Sequence, residues 1–367
     1  MSDATTTVSD AEARQLLIDL VSTPSPTGEE RECAELLAGF FDAHDREVWI
    51  DAVGNVRAPA DDAVLLTSHV DTVPGNIPVR VEEGEFGSED DELVSGGDEI
   101  LWGRGSVDAK GPLASMAVAA VRTGVSFVGV VGEERSSRGA RYLIEDREAP
   151  DAVVNGEPSG WDGLTLGYRG FLSGTYLSTS ESGHTSRPDR NAIQHAIDWW
   201  TRVEAAFEPD ESDEWTPVFE RVTPKPVEFS GGTDDDGLSV EATMHVQLRV
   251  PPSLSTDEVR EVADAELERG TVNWAEPIPP VMESPRTEVA RAFRVAIRAE
   301  GGDPRLLRKT GTSDMNLYAG AWDCPMATYG PGDSDLDHAP DERLSLSEYD
   351  RSIAVLQRVA SDLTNDE

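Results

Sequence analysis

The stretch AVLLTSHVDTVPG (residues 63–75) has the pattern of a buried strand that ends in polar side chains. The apolar run 64–66 forms the strand, and His69 and Asp71 follow it before the chain turns at Pro74. Side chains two residues apart on a strand point to the same face. The stretch therefore predicts a strand whose carboxyl end presents an imidazole and a carboxylate together.

Two more apolar segments share this pattern, SFVGVVG (126–132) and DAVVNGE (151–157). Helical patterns separate the segments, at GPLASMAVAAV (111–121) and RGARYLIEDR (138–147). Strands that alternate with helices predict an α/β fold with a mostly parallel sheet and helices on its faces.

Acidic side chains also end these two segments, with Glu133 and Glu134 after the first and Glu157 closing the second. Each pattern alone has an ordinary interpretation, since a His–Asp pair is often only a hydrogen bond and adjacent glutamates are common in an acidic chain. Binding sites of such sheets lie at the carboxyl ends of the strands. The shared position therefore favours one crevice that contains His69 and these carboxylates.

Asp108 and His338 are further candidates for the same crevice. Asp108 lies in the glycine-rich GRGSVDAKGPLA just before a helix, and His338 lies between prolines in GPGDSDLDHAPDE. Histidine and carboxylates together are the ligands of zinc and related divalent ions. A carboxylate that bridges two ions about 3.5–4 Å apart is typical of two-metal hydrolases.

The pattern changes near residue 165, where a half-exposed strand begins. The order strand, helix, two strands, helix over 165–280 resembles a ferredoxin-like α+β insert. We therefore predict a catalytic α/β domain made of 1–164 and 281–367, interrupted by an inserted domain at 165–280.

The charge of the chain is extreme, with 71 acidic and 31 basic residues in 367 and a net charge of -40. This charge opposes binding to nucleic acid or to an anionic membrane. The acidic residues are spread along the chain, and there are three lysines, Lys110, Lys225 and Lys309. Because about 1 M salt shortens the Debye length to about 3 Å, such a surface suits a halophilic cytoplasm.

The amino terminus, MSDATTTVSD, has neither the basic nor the apolar region of a signal peptide. No apolar run reaches the roughly 20 residues that a membrane-spanning helix needs. We therefore expect a cytoplasmic protein.

Seven motifs in order carry a resemblance to a known family. They are SHVDTVPG, WGRGSVDAKGPLA, GEERSSRGA, NGEPS, SGHTS, KTGTSDMN and GPGDSDLDHAPDE. Together they resemble the dinuclear-zinc family of acetylornithine deacetylase, succinyl-diaminopimelate desuccinylase, aminoacylase and carboxypeptidase G, over about residues 10 to 360. The resemblance implies a metal-binding α/β domain with an inserted ferredoxin-like lid through which the protein forms a homodimer.

The resemblance also implies a ligand set for two zinc ions, with cobalt as a possible substitute. His69 and Glu157 would hold one ion, and Glu134 and His338 would hold the other. Asp108 would bridge the two.

Three catalytic roles follow from the same resemblance. Asp71 resembles the carboxylate that hydrogen-bonds the ring of His69 and raises its basicity. Glu133 resembles the general base that deprotonates the attacking water and protonates the leaving amine. His184 in SGHTS resembles a lid histidine that stabilises the oxyanion, from the partner subunit in dimeric relatives; its ordinary interpretation is a loop histidine.

The resemblance also implies a substrate class. Glu157 favours a deacylase or carboxypeptidase over an aminopeptidase. GRGSVDAKGPLA, NGEPSGWDGLTLGYRG and KTGTSDMN look most like enzymes that release lysine or ornithine from the amino-group carrier protein LysW in lysine or arginine biosynthesis. Arg169, Lys309 and Thr312 are candidates for the α-carboxylate or carrier side, although Arg169 also fits a surface ion pair.

Two alternatives remain open at this point. One is a free-standing acetylornithine or succinyl-diaminopimelate type deacylase, a dipeptidase or a carboxypeptidase. The other is a metal- or peptide-binding homologue without catalysis, which would need a lost ligand or base, and none is missing in the sequence.

Overall fold

The computed structural model describes residues 7–84, 98–184, 186–208, 216–235 and 237–365. Its helices are α1 (Asp10–Ser22), α2 (Arg31–Ala43), α3 (Lys110–Thr123), α4 (Arg138–Asp146), α5 (Ala192–Ala206), α6 (Thr256–Ala265), α7 (Glu288–Ala299), α8 (Asp314–Ala321) and α9 (Leu346–Asn365). Its strands are β1 (Trp49–Ile50), β2 (Val56–Ala58), β3 (Asp61–His69), β4 (Arg80–Gly84), β5 (Asp98–Trp102), β6 (Val125–Val130), β7 (Val153–Gly156), β8 (Gly163–Tyr168), β9 (Gly170–Glu181), β10 (Thr223–Thr233), β11 (Ser239–Val250), β12 (Thr271–Trp274), β13 (Val281–Met282), β14 (Arg305–Lys309), β15 (Met326–Thr328) and β16 (Arg343–Ser345). Within these residues, no helix has the length and apolar character needed to cross a membrane.

The chain divides into two compact units. Unit 1 comprises Met1–Leu166, Glu283–Leu307 and Ser313–Glu367, and unit 2 comprises Gly167–Met282 and Arg308–Thr312. The predicted inserted domain spans 165–280, and residues 308–312 fall within the predicted catalytic part 281–367. The assignment of catalytic and lid roles to these parts stays a prediction.

The large sheet has nine strands in the order β1-β2-β6-β3-β7-β15-β8-β13, and β14 also pairs with β8. The central strands β6, β3, β7 and β15 run parallel to one another. The pairs β1–β2, β2–β6, β15–β8 and β8–β13 are antiparallel. The predicted α/β fold with a mostly parallel sheet is therefore confirmed, and antiparallel strands flank its parallel centre.

The central strand β3 positions the site. It is buried from Val64 to His69, as expected of a strand with neighbours on both sides and helices over both faces. The register pairs His69 with Val130 of β6 and Ser68 with Gly156 of β7. The carboxyl ends of the three strands are therefore level, and the residues that follow them emerge at one edge.

Helix α3 follows the loop that carries Asp108 and packs against α1, α9 and β3. Its residues 110–120 are all buried, and its many alanines allow neighbouring elements to approach closely. The amine of Lys110 donates to the carbonyls of Leu20 and Thr23 at 3.0 and 2.7 Å, so this buried lysine satisfies the carboxyl end of α1.

Unit 2 contains a four-stranded antiparallel sheet in the order β10-β11-β9-β12. In chain order the elements are β9, α5, β10, β11, α6 and β12, which is the ferredoxin-like succession. The core of unit 2 includes Tyr176 stacked on Trp199 with ring centroids 4.8 Å apart. The predicted ferredoxin-like insert is confirmed as a fold.

Candidate metal centre

The five predicted metal ligands all belong to unit 1 and lie at the ends of strands or in loops. They are His69 at the end of β3, Asp108 in the loop before α3, Glu134 in the turn after β6, Glu157 directly after β7, and His338 between β15 and β16.

The carboxylate of Asp108 lies between two imidazoles. Its Oδ1 is 3.1 Å from Nε2 of His69, and its Oδ2 is 3.1 Å from Nε2 of His338. Glu134 Oε2 lies 3.0 Å from the same nitrogen of His338. One carboxylate therefore reaches two histidines through different oxygens, as a carboxylate does when it bridges two cations.

The remaining donors complete a cluster around Asp108. Glu157 Oε2 lies 3.8 Å from His69 Nε2. Ligand atoms of His69, Asp108 and Glu134 all lie within 4.8 Å of one another. The second oxygen of Glu134, Oε1, is buried and has no hydrogen-bond partner in the part of the chain that the structure describes. A buried, unsatisfied carboxylate oxygen beside imidazoles fits a metal ligand.

His338 has a left-handed backbone conformation, with φ of 60°. Few residues other than glycine adopt this conformation, and they keep it where surrounding contacts hold the segment. The loop 331–342 is rich in acidic residues and contains one histidine. Its contacts thus hold His338 in a fixed backbone conformation.

The cluster contains more carboxylates than positively charged groups, and this excess affects the pKa values of its residues. Burial, with Glu157 next in effect, raises the pKa of Glu133 well above its usual value. Burial and the nearby Asp108 raise the pKa of Glu134 to about 7. The hydrogen bond to Asp108 raises the pKa of His338 to about 9. Since carboxylates crowd a buried crevice, divalent cations would restore the balance, and oxygen and nitrogen donors of this kind suit zinc.

The carboxylate of Asp71 lies beside the ring of His69, but its hydrogen bonds go to other groups. Its carboxylate Oδ1 accepts the N–H of Glu133 at 3.0 Å and lies 3.7 Å from His69 Nδ1. The imidazole Nδ1 instead contacts the backbone carbonyl of Asp71 at 2.9 Å. Asp71 Oδ2 accepts from the hydroxyl of Thr27 at 2.7 Å and from the N–H of Glu134 at 3.3 Å. Asp71 therefore binds the turn that carries Glu133 and Glu134, and its effect on the basicity of His69 stays a prediction.

Asp314 is a buried carboxylate that the sequence analysis missed. It begins α8 within KTGTSDMN, and its Oδ1 has no hydrogen-bond partner among the described residues. Burial raises its pKa to about 6, with Asp71 adding to the effect, and Asp314 in turn contributes to the raised pKa of Glu133. The motif drew attention to this segment, but no local pattern shows which of its polar side chains points inward.

The other predicted residues lie in unit 2. His184 is exposed, with its Nδ1 2.7 Å from the hydroxyl of Ser186. Arg169 is buried, and its guanidinium donates to the carbonyl of Thr310 at 2.9 Å and the hydroxyl of Thr223 at 2.7 Å. Arg169 therefore lies in the interior of unit 2 and not at its surface, and its role toward the substrate stays a prediction.

Thr312 and Lys309 lie in the short segment that joins unit 2. The Thr312 hydroxyl accepts from the guanidinium of Arg249 at 3.4 Å, and Arg249 stacks over Phe171 at 4.5 Å. The contact of Thr312 with Arg249 joins the segment 308–312 to strand β11, and the substrate roles of Thr312 and Lys309 stay predictions.

The comparisons with known proteins agree on the family. The model of the peptidase family M20/M25/M40 matches residues 65–362. A [LysW]-lysine hydrolase of Deinococcus radiodurans is 40% identical over 94% of this chain and 95% of its own length. A putative [LysW]-lysine/[LysW]-ornithine hydrolase of Thermococcus kodakarensis is 36% identical over 97% of this chain and 93% of its own.

Solved structures show the same fold. A family M20 metallo-carboxypeptidase from Sulfolobus solfataricus superposes with a TM-score of 0.73 at 17% identity, over 95% of this chain and 98% of its own. The aminopeptidase PepT from Bacillus cereus superposes with a TM-score of 0.74 at 18% identity, over 98% of this chain and 100% of its own. The metal-ligand types at the strand ends, the matched family model and the nearly full-length relatives lead to one conclusion: the chain belongs to peptidase family M20/M25/M40 and is a hydrolase.

Proposed function

We propose that this hydrolase uses two divalent metal ions to cleave the amide bond that links lysine or ornithine to the carrier protein LysW. The observation that carries the metal-dependent chemistry is the Asp108 carboxylate, which contacts His69 and His338 through different oxygens. The proposed substrate rests on the nearly full-length relatives, whose names specify LysW-linked lysine or ornithine.

We assign one ion to His69 and Glu157, the other to Glu134 and His338, and Asp108 to both. Zinc is the proposed metal, and cobalt suits the same donors. Bound there, the ions would supply a water that ionises near neutral pH and would polarise the scissile carbonyl.

Glu133 is the proposed general base. Its raised pKa favours the uptake of a proton from water near neutral pH, and the same carboxyl group can then donate that proton to the leaving amine. The hydrogen bond from its backbone N–H to Asp71 holds the residue at the crevice. We therefore assign to Asp71 the positioning of Glu133 and Glu134, beside its proposed support of His69.

Unit 2 is the proposed lid and dimerisation domain. Its edge strand β10 pairs with β11, and from Lys225 onward all its residues are exposed. Val227 and Phe229 in this strand are 52% and 43% exposed. An exposed edge with apolar side chains favours pairing with a second chain. In the resulting homodimer, His184 of one subunit would donate to the oxyanion, and Arg169, Lys309 and Thr312 would act on the α-carboxylate or carrier side.

A substrate panel tests this function. The purified enzyme, loaded with Zn²⁺ in molar KCl, is given LysW-lysine, LysW-ornithine, N-acetylornithine and N-succinyl-diaminopimelate at equal concentrations. We expect the two carrier-linked substrates to be cleaved with the highest kcat/KM. Faster cleavage of a free acyl-amino acid would replace the proposed substrate, and bound metal without hydrolysis of any of them would favour a binding protein. The cytoplasmic, halophilic setting is part of the same proposal.

A further inference from the structure

We infer that Glu342 is a positioning residue for the metal centre, because it holds the loop that carries Asp108. This inference rests on the metal centre of the proposed function. The side chain of Glu342 is completely buried and forms an ion pair with Arg104, with Nη1 to Oε2 at 2.7 Å.

Within the described part of the chain, the side-chain hydrogen bonds of Glu342 all go to the segment 104–108. Oε2 accepts the N–H of Gly105 at 3.0 Å, and Oε1 accepts the N–H groups of Val107 and Asp108 at 2.9 and 3.0 Å. Together with Arg104, three backbone donors of the loop thus converge on one carboxylate. The last of them belongs to the residue whose side chain lies between the two imidazoles.

Gly105 lets the loop turn tightly and pack closely against Thr72. Its φ is 81°, a conformation that glycine adopts readily, and a Cβ at this position would lie 2.7 Å from Cγ2 of Thr72. A residue with a side chain at position 105 would therefore disturb the loop whose donors pair with Glu342.

Glu342 also connects the segment that carries His338 with the segment that carries Asp108. It follows His338 by four residues in the same segment, and its own carbonyl accepts the N–H of Gly103 at 3.3 Å. The segment that carries the proposed ligand His338 is thus bonded to the segment that carries the proposed bridge Asp108. Loss of the bonds made by the Glu342 carboxylate would let the two ligands separate, and outer-shell partners of this kind typically contribute about 10–100-fold to metal affinity.

A buried carboxylate elsewhere in unit 1 provides a matched control. Asp51, whose side chain is 5% exposed, accepts the N–H groups of Val53, Gly54 and Asn55 and forms an ion pair with Arg57. It thus makes the same kinds of bond as Glu342, but in the turn between β1 and β2.

The test compares Glu342→Gln, Arg104→Met and Asp51→Asn with the wild-type protein. Zn²⁺ affinity is measured by competition with a chromophoric chelator, the visible spectrum is recorded with Co²⁺, and thermal unfolding is followed without metal. We expect Glu342→Gln and Arg104→Met to weaken Zn²⁺ binding at least about tenfold and to change the Co²⁺ spectrum. Asp51→Asn should lower the unfolding temperature and leave both metal readouts unchanged.

Wild-type Zn²⁺ affinity and Co²⁺ spectrum in Glu342→Gln would overturn the inference, as would an equal loss of affinity in Asp51→Asn. If Glu342→Gln does not fold, Arg104→Met decides the question by the same criteria. A wild-type protein that binds Zn²⁺ but does not cleave LysW-linked substrates would reject the proposed substrate and leave the role of Glu342 intact.

Discussion

The adjacent residues Glu133 and Glu134 have the same side chain and different surroundings. Glu134 contacts His338, and among the described residues its buried Oε1 has no hydrogen-bond partner, which fits a metal ligand. Burial, to which Glu157 and Asp314 add, raises the pKa of Glu133, and a raised pKa suits proton transfer. We therefore propose that the two adjacent residues of the turn after β6 have separate roles, Glu134 as a metal ligand and Glu133 as the general base.

This difference predicts opposite behaviour of two matched variants. Glu133→Gln should bind Zn²⁺ like the wild type and lose about 10²–10⁴-fold in kcat, which is the usual contribution of general acid–base catalysis. Glu134→Gln, the control, should lose metal affinity. Steady-state kinetics and metal analysis of both proteins check this. A near-native rate for Glu133→Gln would remove it as the base.

The pKa values predict proton release when the metal binds. Without metal, His338 with its pKa of about 9 is protonated at neutral pH, and Glu134 with its pKa of about 7 is partly protonated. Because both must lose their protons to act as ligands, the apparent Zn²⁺ affinity should rise from about pH 6 to about pH 9.

Calorimetry in buffers of different ionisation enthalpy measures this release. His338→Gln serves as the control and should release fewer protons at about pH 8, where an ordinary carboxylate is already ionised. A heat of binding that is independent of the buffer would show that the ligands are already deprotonated.

Among the elements, β10 combines features of an edge strand with features of an interface. Pro224 and Pro226 fit an edge position, where a missing N–H costs no ladder bond. Phe229 pairs in register with the buried Met244 of β11, so its ring lies on the helix-covered face, yet it is 43% exposed. A partner strand at this edge would cover it.

The exposed strand predicts that Phe229→Asp produces a monomer, because the proposed interface would then bury an unpaired charge. Sedimentation in molar KCl measures the mass of each protein. Val295→Asp on α7, at a residue that is 59% exposed in unit 1, is the control and should remain dimeric. A monomeric wild type, or a dimeric Phe229→Asp, would contradict the proposed interface.

On the scale of the whole molecule, charge is the dominant feature. The net charge of -40 produces repulsion that only counterions can screen. Many arginines do form ion pairs, such as Arg14 with Glu99 and Asp350, but acidic residues exceed basic ones more than twofold.

We therefore expect the unfolding temperature to fall as KCl is lowered from about 2 M to about 0.1 M, where the Debye length grows to about 10 Å. Differential scanning calorimetry of the metal-loaded protein checks this. NaCl at equal ionic strength should stabilise to a similar extent, because it screens equally. A constant unfolding temperature across the series would reject the halophilic interpretation.

The sequence by itself determined the α/β class, the ferredoxin-like insert and the residue types of the site. The two-residue period of strands and the position of polar residues after apolar runs are local properties, so they can be read before folding. His69, Glu134 and Glu157 were predicted at one edge for this reason, and Asp108 and His338 from their motifs.

Only the tertiary structure decided which atoms meet. Asp108 and His69 are 39 residues apart, and the packing of the loop before α3 brings them together. The carboxylate of Asp71 binds the backbone of Glu133, and Glu342 binds the loop of Asp108. These bonds join segments distant in the sequence, and their geometry depends on how the loops pack, which no local periodicity encodes.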